Sequence, residues 1–235
     1  MREIILIRHG KTYGNTLGRY IGTTDEELCP EGREELAALR ERGQYRSICP
    51  DLVYVSPLRR CRQTAELLFP GVPQEICRDL RECDFGEFEN KNYKELSGNP
   101  AYQAWVDSGG TLPFPGGESR EAFQERCRAE FTRVLRTLGR QAGSNAVFVV
   151  HGGTIMSILS AYAAPEGKLP GQKLLGETLP GQTPSGQAPQ GVADPFYRWQ
   201  VKNGEGWRAL WDETDKGGIW LYDISHIGPG SGVSA

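Results

Sequence analysis

The chain is short of histidine, of long apolar runs and of any excess of charge of one sign. Three histidines occur in 235 residues, His9, His151 and His226. They form no H-E-x-x-H motif and no Cys/His cluster, so neither a metal site nor a cofactor is expected. The longest run of aliphatic and aromatic residues is Ala146 to Val150. A membrane-spanning helix needs roughly 20 apolar residues. Ile4-Ile5-Leu6-Ile7 is too short for a signal-peptide core, and no small-residue cleavage site follows. A cytoplasmic protein without a membrane partner is the expectation. Lys+Arg 27 against Asp+Glu 30 leaves no basic footprint for nucleic acid. Cys29, Cys49, Cys61, Cys77, Cys83 and Cys127 show no C-x-x-C spacing and read as reduced thiols.

What is present alternates between strand and helix. Arg2–Ile7, Leu52–Val55, Glu75–Cys77, Ala146–Val150 and Ile219–Ile224 read as strands. Pro30–Arg42, Arg59–Leu68, Ser119–Leu138 and Thr154–Ala163 read as helices. In the 119–138 helix, Phe123, Cys127, Phe131, Val134, Leu135 and Leu138 form one apolar stripe. Strands alternating with helices predict an α/β fold, a mostly parallel central sheet with helices on both faces. Residues 1–226 are read as one domain. It carries a proline- and glycine-rich insertion at 165–195, with six of each residue. Such a segment buries too little apolar surface to offset its ordering entropy. It is expected to be a flexible loop, with an active-site lid as the second reading. Asn203-Gly204-Glu205-Gly206 reads as a hairpin turn between Trp199–Val201 and Trp207–Trp211. Residues 227–235 are expected to be a disordered tail.

Two apolar strands end alike. Ile4–Ile7 runs into Arg8-His9-Gly10, and Ala146–Val150 runs into His151-Gly152-Gly153. Ligands of open α/β sheets bind beyond the carboxyl ends of the strands. Two strand-end histidines, each followed by glycine, therefore point to one site. His226 reads as a surface residue.

Arg8-His9-Gly10-Lys11-Thr12-Tyr13-Gly14-Asn15 has the form R-H-G-x-T-x-x-N. Three further segments follow in order: Ser56-Pro57-Leu58-Arg59-Arg60-Cys61-Arg62-Gln63-Thr64-Ala65, Arg81-Glu82-Cys83-Asp84-Phe85-Gly86 and Val149-Val150-His151-Gly152-Gly153. Together they resemble the histidine phosphatase superfamily, the phosphoglycerate mutase-like proteins. The resemblance is close over residues 1–163 and looser over 196–224. It implies a three-layer sandwich and a metal-independent phosphomonoesterase acting on a small phosphorylated metabolite. It makes His9 the nucleophile and Glu82 the proton donor. Arg8, Arg60 and His151 complete the catalytic set, with Gly10, Thr12, Asn15 and Gly152 as substrate-binding residues.

The chemistry agrees with that reading. Arginine forks match phosphate oxygens in pairs. Backbone N–H groups near Gly10 and at the start of the 154–163 helix add neutral donors. A histidine between two cations is held neutral and nucleophilic. There is no C-x₅-R preceded by histidine and no G-x-x-x-x-G-K-[ST] loop for the other common phosphoryl chemistries.

The acid segment resembles the phosphatase branch more than the mutase branch. Phe114-Pro115-Gly116-Gly117-Glu118-Ser119 and the 199–204 segment resemble alpha-ribazole phosphatases, which serve cobalamin synthesis. A phosphoglycerate mutase and a non-catalytic phospho-ligand module remain as alternatives, and a homodimer is the one assembly entertained. Cys29 replaces the family's usual threonine, which predicts a lost helix cap. Cys61 replaces alanine, and Asn90 replaces a common glycine. Tyr93, Tyr102, Trp105 and Phe114 fall on the segment expected to cover the site.

Overall fold

The computed structural model describes residues 2–139, 145–164, 195–213 and 217–229. The expected insertion lies outside the described residues, apart from Pro195 at its end. The 227–235 tail lies largely outside them.

Six strands form one sheet in the order β3-β2-β4-β1-β5-β6. They are β1 (Glu3–Arg8), β2 (Val53–Val55), β3 (Gln74–Ile76), β4 (Asn145–Val150), β5 (Gly206–Glu213) and β6 (Ile219–Ile227). The first four run parallel, β5 pairs antiparallel with β1, and β6 pairs antiparallel with β5. The sheet is mostly parallel, as the alternation of elements predicts.

Side chains of a strand alternate between faces. Ile4 and Leu6 of β1 join Ala146, Phe148 and Val150 of β4 in one core layer. Helices α5 (Arg120–Leu138) and α6 (Gly152–Tyr162) close that layer with Phe131, Val134, Leu135, Ile155, Ile158 and Leu159. Ile5, Ile7, Val147 and Val149 face the other way, under Leu36 of α2 (Pro30–Glu41) and Cys61, Ala65 and Leu68 of α3 (Arg59–Leu68). The result is the expected three layers. Because β1 and β4 are buried on both faces, they read as unbroken apolar runs.

Local chemistry sets the helix ends. The Ser119 hydroxyl accepts the Ala122 N–H at the start of α5, and Gly139 ends it at φ 56°. Pro30 opens α2, and the Cys29 thiol accepts the Gly32 N–H at 3.4 Å. The expected loss of that cap is thus corrected: a weaker sulfur acceptor fills the position. Asn90, where glycine is common, has φ 60°, a conformation asparagine tolerates.

Two short helices escaped the sequence reading, α1 (Tyr13–Thr16) and α4 (Pro100–Asp107). Neither carries a buried apolar stripe; α4 has no buried residue at all. The expected hairpin at 203–206 is also corrected. Trp199 closes a 3₁₀ turn (Pro195–Trp199), and no strand precedes the Asn203–Gly204 turn. That turn docks instead on the end of β1, with the Gly204 N–H 3.0 Å from the Arg8 carbonyl. The hairpin is β5–β6. Strand β6 continues through the buried Ile227, so ordered structure reaches past residue 226.

Among the described residues no helix is long and apolar enough to cross a membrane. Phe148 is fully buried, with the rings of Tyr54 and Phe131 at 5.2 and 5.3 Å. Phe148→Ala should lower unfolding stability by about 3–5 kcal/mol. Urea denaturation checks this, and a loss below about 1 kcal/mol would mean the layer recloses around the gap.

Candidate active site

The parallel register of β1 and β4 sets Arg8 opposite Val150. Each strand is followed by its histidine, so both histidines emerge at one point on the carboxyl edge of the sheet. The His9 N–H continues the ladder, donating to the Val150 carbonyl at 3.0 Å. The two imidazoles meet edge to face with centroids 5.2 Å apart. His9 is 4% exposed and His151 is fully buried.

His9 Nδ1 lies 2.6 Å from the Gly10 carbonyl oxygen. A carbonyl only accepts, so Nδ1 carries the proton and Nε2 keeps its lone pair. Burial first, then the charges of Arg60 and Arg8, hold the His9 pKa well below its ordinary value of 6.5. The ring is therefore neutral at pH 7. His151 is lowered the same way, by burial and then by Arg60.

Arg60 is fully buried, on the first turn of α3. Its guanidinium donates to the carbonyls of Ile21, Gly22 and Thr24, and its Nε–H to His151 Nδ1 at 3.3 Å. Four of its five N–H donors are thus engaged, which corrects the expected free fork. Arg60 contributes a fixed buried charge with at most one free donor. Because His151 Nδ1 accepts from Arg60, the proton of neutral His151 sits on Nε2, 2.7 Å from the Ser56 hydroxyl. The expected free third donor on His151 is thereby occupied.

Arg8 donates Nη1 to the Val201 carbonyl at 2.7 Å. Its Nε is buried with no partner among the described residues, and so can serve an anion. Gly152 abuts it: a Cβ there would lie 3.4 Å from Arg8 Nε. The Gly10 N–H is not free, since it donates to Thr64 Oγ1 at 2.9 Å. Thr12 is fully buried and its hydroxyl accepts the Asn15 N–H, so it caps α1 and faces no open pocket. Asn15 Oδ1 accepts from the Thr12 N–H and from Asn203 Nδ2.

Glu82 reaches the same point from the loop before Gly86. Its Oε1 accepts the Cys83 N–H at 3.0 Å and its Oε2 the Gly153 N–H at 3.3 Å. Burial raises its pKa, opposed by those N–H groups, Arg60 and Arg8. A Cβ at residue 153 would lie 2.5 Å from Glu82 Oε1, so any side chain there would displace the carboxyl. Cys61 Sγ stands 3.5 Å from His151 Nε2, and burial pushes its thiol up to about 12. It packs there as a small neutral residue, much as alanine would.

Tyr102, Trp105 and Phe114 pack with Tyr20, Phe85 and Phe88 into one aromatic cluster, whereas Tyr93 is exposed. His226 is exposed and pairs with Glu205. Among the described residues no three His, Cys, Asp or Glu side chains gather as metal ligands.

Sequence reasoning assigned no role to Ser56 or Thr64, although both lie in the segment quoted around Arg60. It also missed Asn203, whose amide donates to the His9 carbonyl at 3.0 Å. Asn203 had been absorbed into the turn.

A mostly parallel sheet with paired histidines and arginines at its carboxyl edge defines a phosphoglycerate mutase-like protein. Residues 4–170 match the model of the histidine phosphatase superfamily (branch 1). The metal-independent phosphoserine phosphatase of Arabidopsis thaliana is 30% identical over 175 residues, 71% of this chain and 72% of that protein. The adenosylcobalamin/alpha-ribazole phosphatase of Salmonella typhimurium is 31% identical over 160 residues, 66% of this chain and 76% of that protein. In fold, the alpha-ribazole phosphatase of Shigella flexneri superposes with a TM-score of 0.68 at 24% identity, over 94% of each chain. The chain belongs to the histidine phosphatase superfamily, branch 1.

The buried histidines make stability depend on pH. In the unfolded chain they take up protons near pH 6.5, whereas folded His9 resists to a lower pH. The unfolded state then binds more protons, so stability falls as pH drops below about 6.5. Glu82, with its raised pKa, acts in the opposite sense as pH rises above 4.5. His9→Asn removes the His9 share of the first effect and leaves that of His151. Urea titrations between pH 7 and 5 should show a shallower acid-side loss for the variant, and equal slopes would mean His9 titrates normally.

Proposed function

We propose that the chain is a metal-independent phosphomonoesterase that works through a phosphohistidine on His9. The observation that carries this reading is the His9 Nδ1 contact with the Gly10 carbonyl, which leaves Nε2 unprotonated beside two cations. Nε2 attacks phosphorus, and the bond to the ester oxygen breaks. The protonated Glu82 carboxyl gives its proton to that leaving oxygen. A water then yields its proton to the Glu82 carboxylate and attacks phosphorus. His9 leaves neutral, and inorganic phosphate is released.

Arg8 Nε and the buried charge of Arg60 oppose the charge on the phosphoryl oxygens. These permanent cations do what a divalent metal does elsewhere, and no step calls for one. His151, held by Ser56 and Arg60, walls the site beside His9. Gly10 and Asn15 shape one loop beside the phosphoryl position, and Gly152 opens α6 against Arg8 on its other side. Thr12 supports that loop from beneath.

The relatives named as phosphoserine and alpha-ribazole phosphatases support hydrolysis of a small phosphorylated metabolite. Alpha-ribazole 5'-phosphate is the substrate we put first. Phosphoglycerate is the discriminating alternative, because a mutase would pass the phosphoryl group to a second hydroxyl instead of water.

The test is a hydrolysis screen over phosphorylated metabolites in the presence of EDTA. Phosphate release should persist with the chelator and vanish in His9→Ala. Loss on chelation, or phosphoglycerate isomerised faster than hydrolysed, would overturn the proposal. Glu82→Gln should slow an alkyl phosphate by about 10²–10⁴-fold. It should slow p-nitrophenyl phosphate far less, because nitrophenolate leaves without a proton. Equal losses on both esters would remove Glu82 from the role of acid.

A further inference from the structure

Glu82 sits in irregular chain, between a 3₁₀ turn at Arg78–Leu80 and another at Gly86–Phe88. No strand or helix holds it, yet proton transfer demands placement within hydrogen-bond reach of the leaving oxygen. The chain around it is gripped from α5 by one side chain. Arg126 Nη1 donates to the carbonyls of Asp79 and Arg81, both at 2.8 Å. Its Nη2 donates to the carbonyl of Glu82 itself at 2.9 Å. The remaining donors, Nε and the second Nη2–H, form a two-point pair with Glu118 at 2.7 and 2.8 Å. All five guanidinium N–H groups are therefore engaged.

Glu118 completes the strap from the other side. Its N–H donates to the Asp84 carbonyl at 2.9 Å, and its carboxylate accepts the Asp84 N–H at 3.4 Å. The ion pair is largely buried, at 13% and 14% side-chain exposure. Phe123, under Arg126, packs with Glu82 into the space a Gly153 side chain would take.

We propose that Arg126, neutralised by Glu118, is the positioning residue that places the Glu82 carboxyl for proton transfer. The inference rests on the proposed role of Glu82 as acid. The pairing with Glu118 has its own purpose. A bare cation on the Glu82 carbonyl would favour the carboxylate and strip the acid of its proton near neutral pH. Glu118 cancels that charge while leaving the hydrogen bonds in place. Burial works against ionisation of Glu118, but Arg126, with the Asp84 N–H and Arg81, more than offsets it and holds the carboxyl below its ordinary value. The groups facing Glu82 are Arg8 from β1, Arg60 and Cys61 from α3, neighbouring Cys83, Cys127 from α5 and the Gly153 N–H of α6. On its backbone side stand the largely buried Arg126–Glu118 pair and the exposed Arg81–Asp79 pair.

The experiment compares Arg126→Met, Arg126→Lys, Glu118→Gln and Glu82→Gln on glycerol phosphate and p-nitrophenyl phosphate, with folding checked by circular dichroism. Arg126→Met should raise the rate ratio of the nitrophenyl to the glycerol ester at least tenfold, and Arg126→Lys should recover part of it. Glu118→Gln keeps the acceptor oxygen but uncovers the charge. The alkaline limb of its kcat profile on glycerol phosphate should move to lower pH. If Arg126→Met does not fold, the lysine variant and the Glu118→Gln limb decide.

A Glu82→Gln variant that splits the two esters, beside Arg126 variants that slow both equally, overturns the positioning role alone. So does an unmoved limb in Glu118→Gln. A Glu82→Gln variant that shows no split overturns the acid assignment, and the positioning role with it.

Discussion

The hydrogen bond from the His9 N–H to the Val150 carbonyl is the contact on which the rest of the site depends. It is one more rung of the β1–β4 ladder, laid just past the end of β1. Parallel pairing fixes the register of every rung below it, because a one-residue slip would exchange the side chains fitted into the two core layers. Ile4 to Ile7 and Ala146 to Val150 are buried on both faces, so the slip is heavily disfavoured. The same burial that stabilises the sheet thereby sets two imidazoles 5.2 Å apart, centroid to centroid. No local interaction between the two histidines is needed to bring them together.

That arrangement raises an electrostatic problem. Arg8 and Arg60 stand beside two buried rings, and Glu82 is the carboxyl they share. Arg60 is carried by carbonyl dipoles of Ile21, Gly22 and Thr24, and among the described residues no carboxylate forms an ion pair with it. Its field and the burial of the rings keep both histidines neutral. Burial acts the opposite way on Glu82, where it favours the protonated form. One desolvated pocket thus pushes the two histidines and Glu82 alike toward their uncharged forms.

The elements around the pocket divide by how they are held. The histidine loop is gripped by Thr64 on the Gly10 N–H and by Gly204 and Asn203 on the His9 carbonyl. The acid loop is gripped by Arg126 and Glu118. Segments far apart in sequence therefore converge on two short stretches of irregular chain. Thr64 of α3 and Arg126 of α5 anchor from helices, Asn203, Gly204 and Glu118 from turns, and the candidate residues sit on the loops they hold.

The sequence alone determined the α/β class, the strand-end histidines and the candidate set around His9, Arg8, Arg60, Glu82 and His151. Those features rest on short-range periodicity and on contiguous motifs, which one chain displays in full. The α1 and α4 helices were not legible, because neither buries a stripe that periodicity could reveal. The turn at 203–204 is legible, but the hairpin read around it does not form, because the turn docks on a strand about 195 positions upstream. Tertiary structure alone decided which donors are free. The fork of Arg60, the proton of His151, the N–H of Gly10 and the hydroxyl of Thr12 are all occupied by groups distant in sequence or hidden in a cap. Hydrogen-bond saturation is a property of three-dimensional neighbours, and residue type states only how many bonds a group can make.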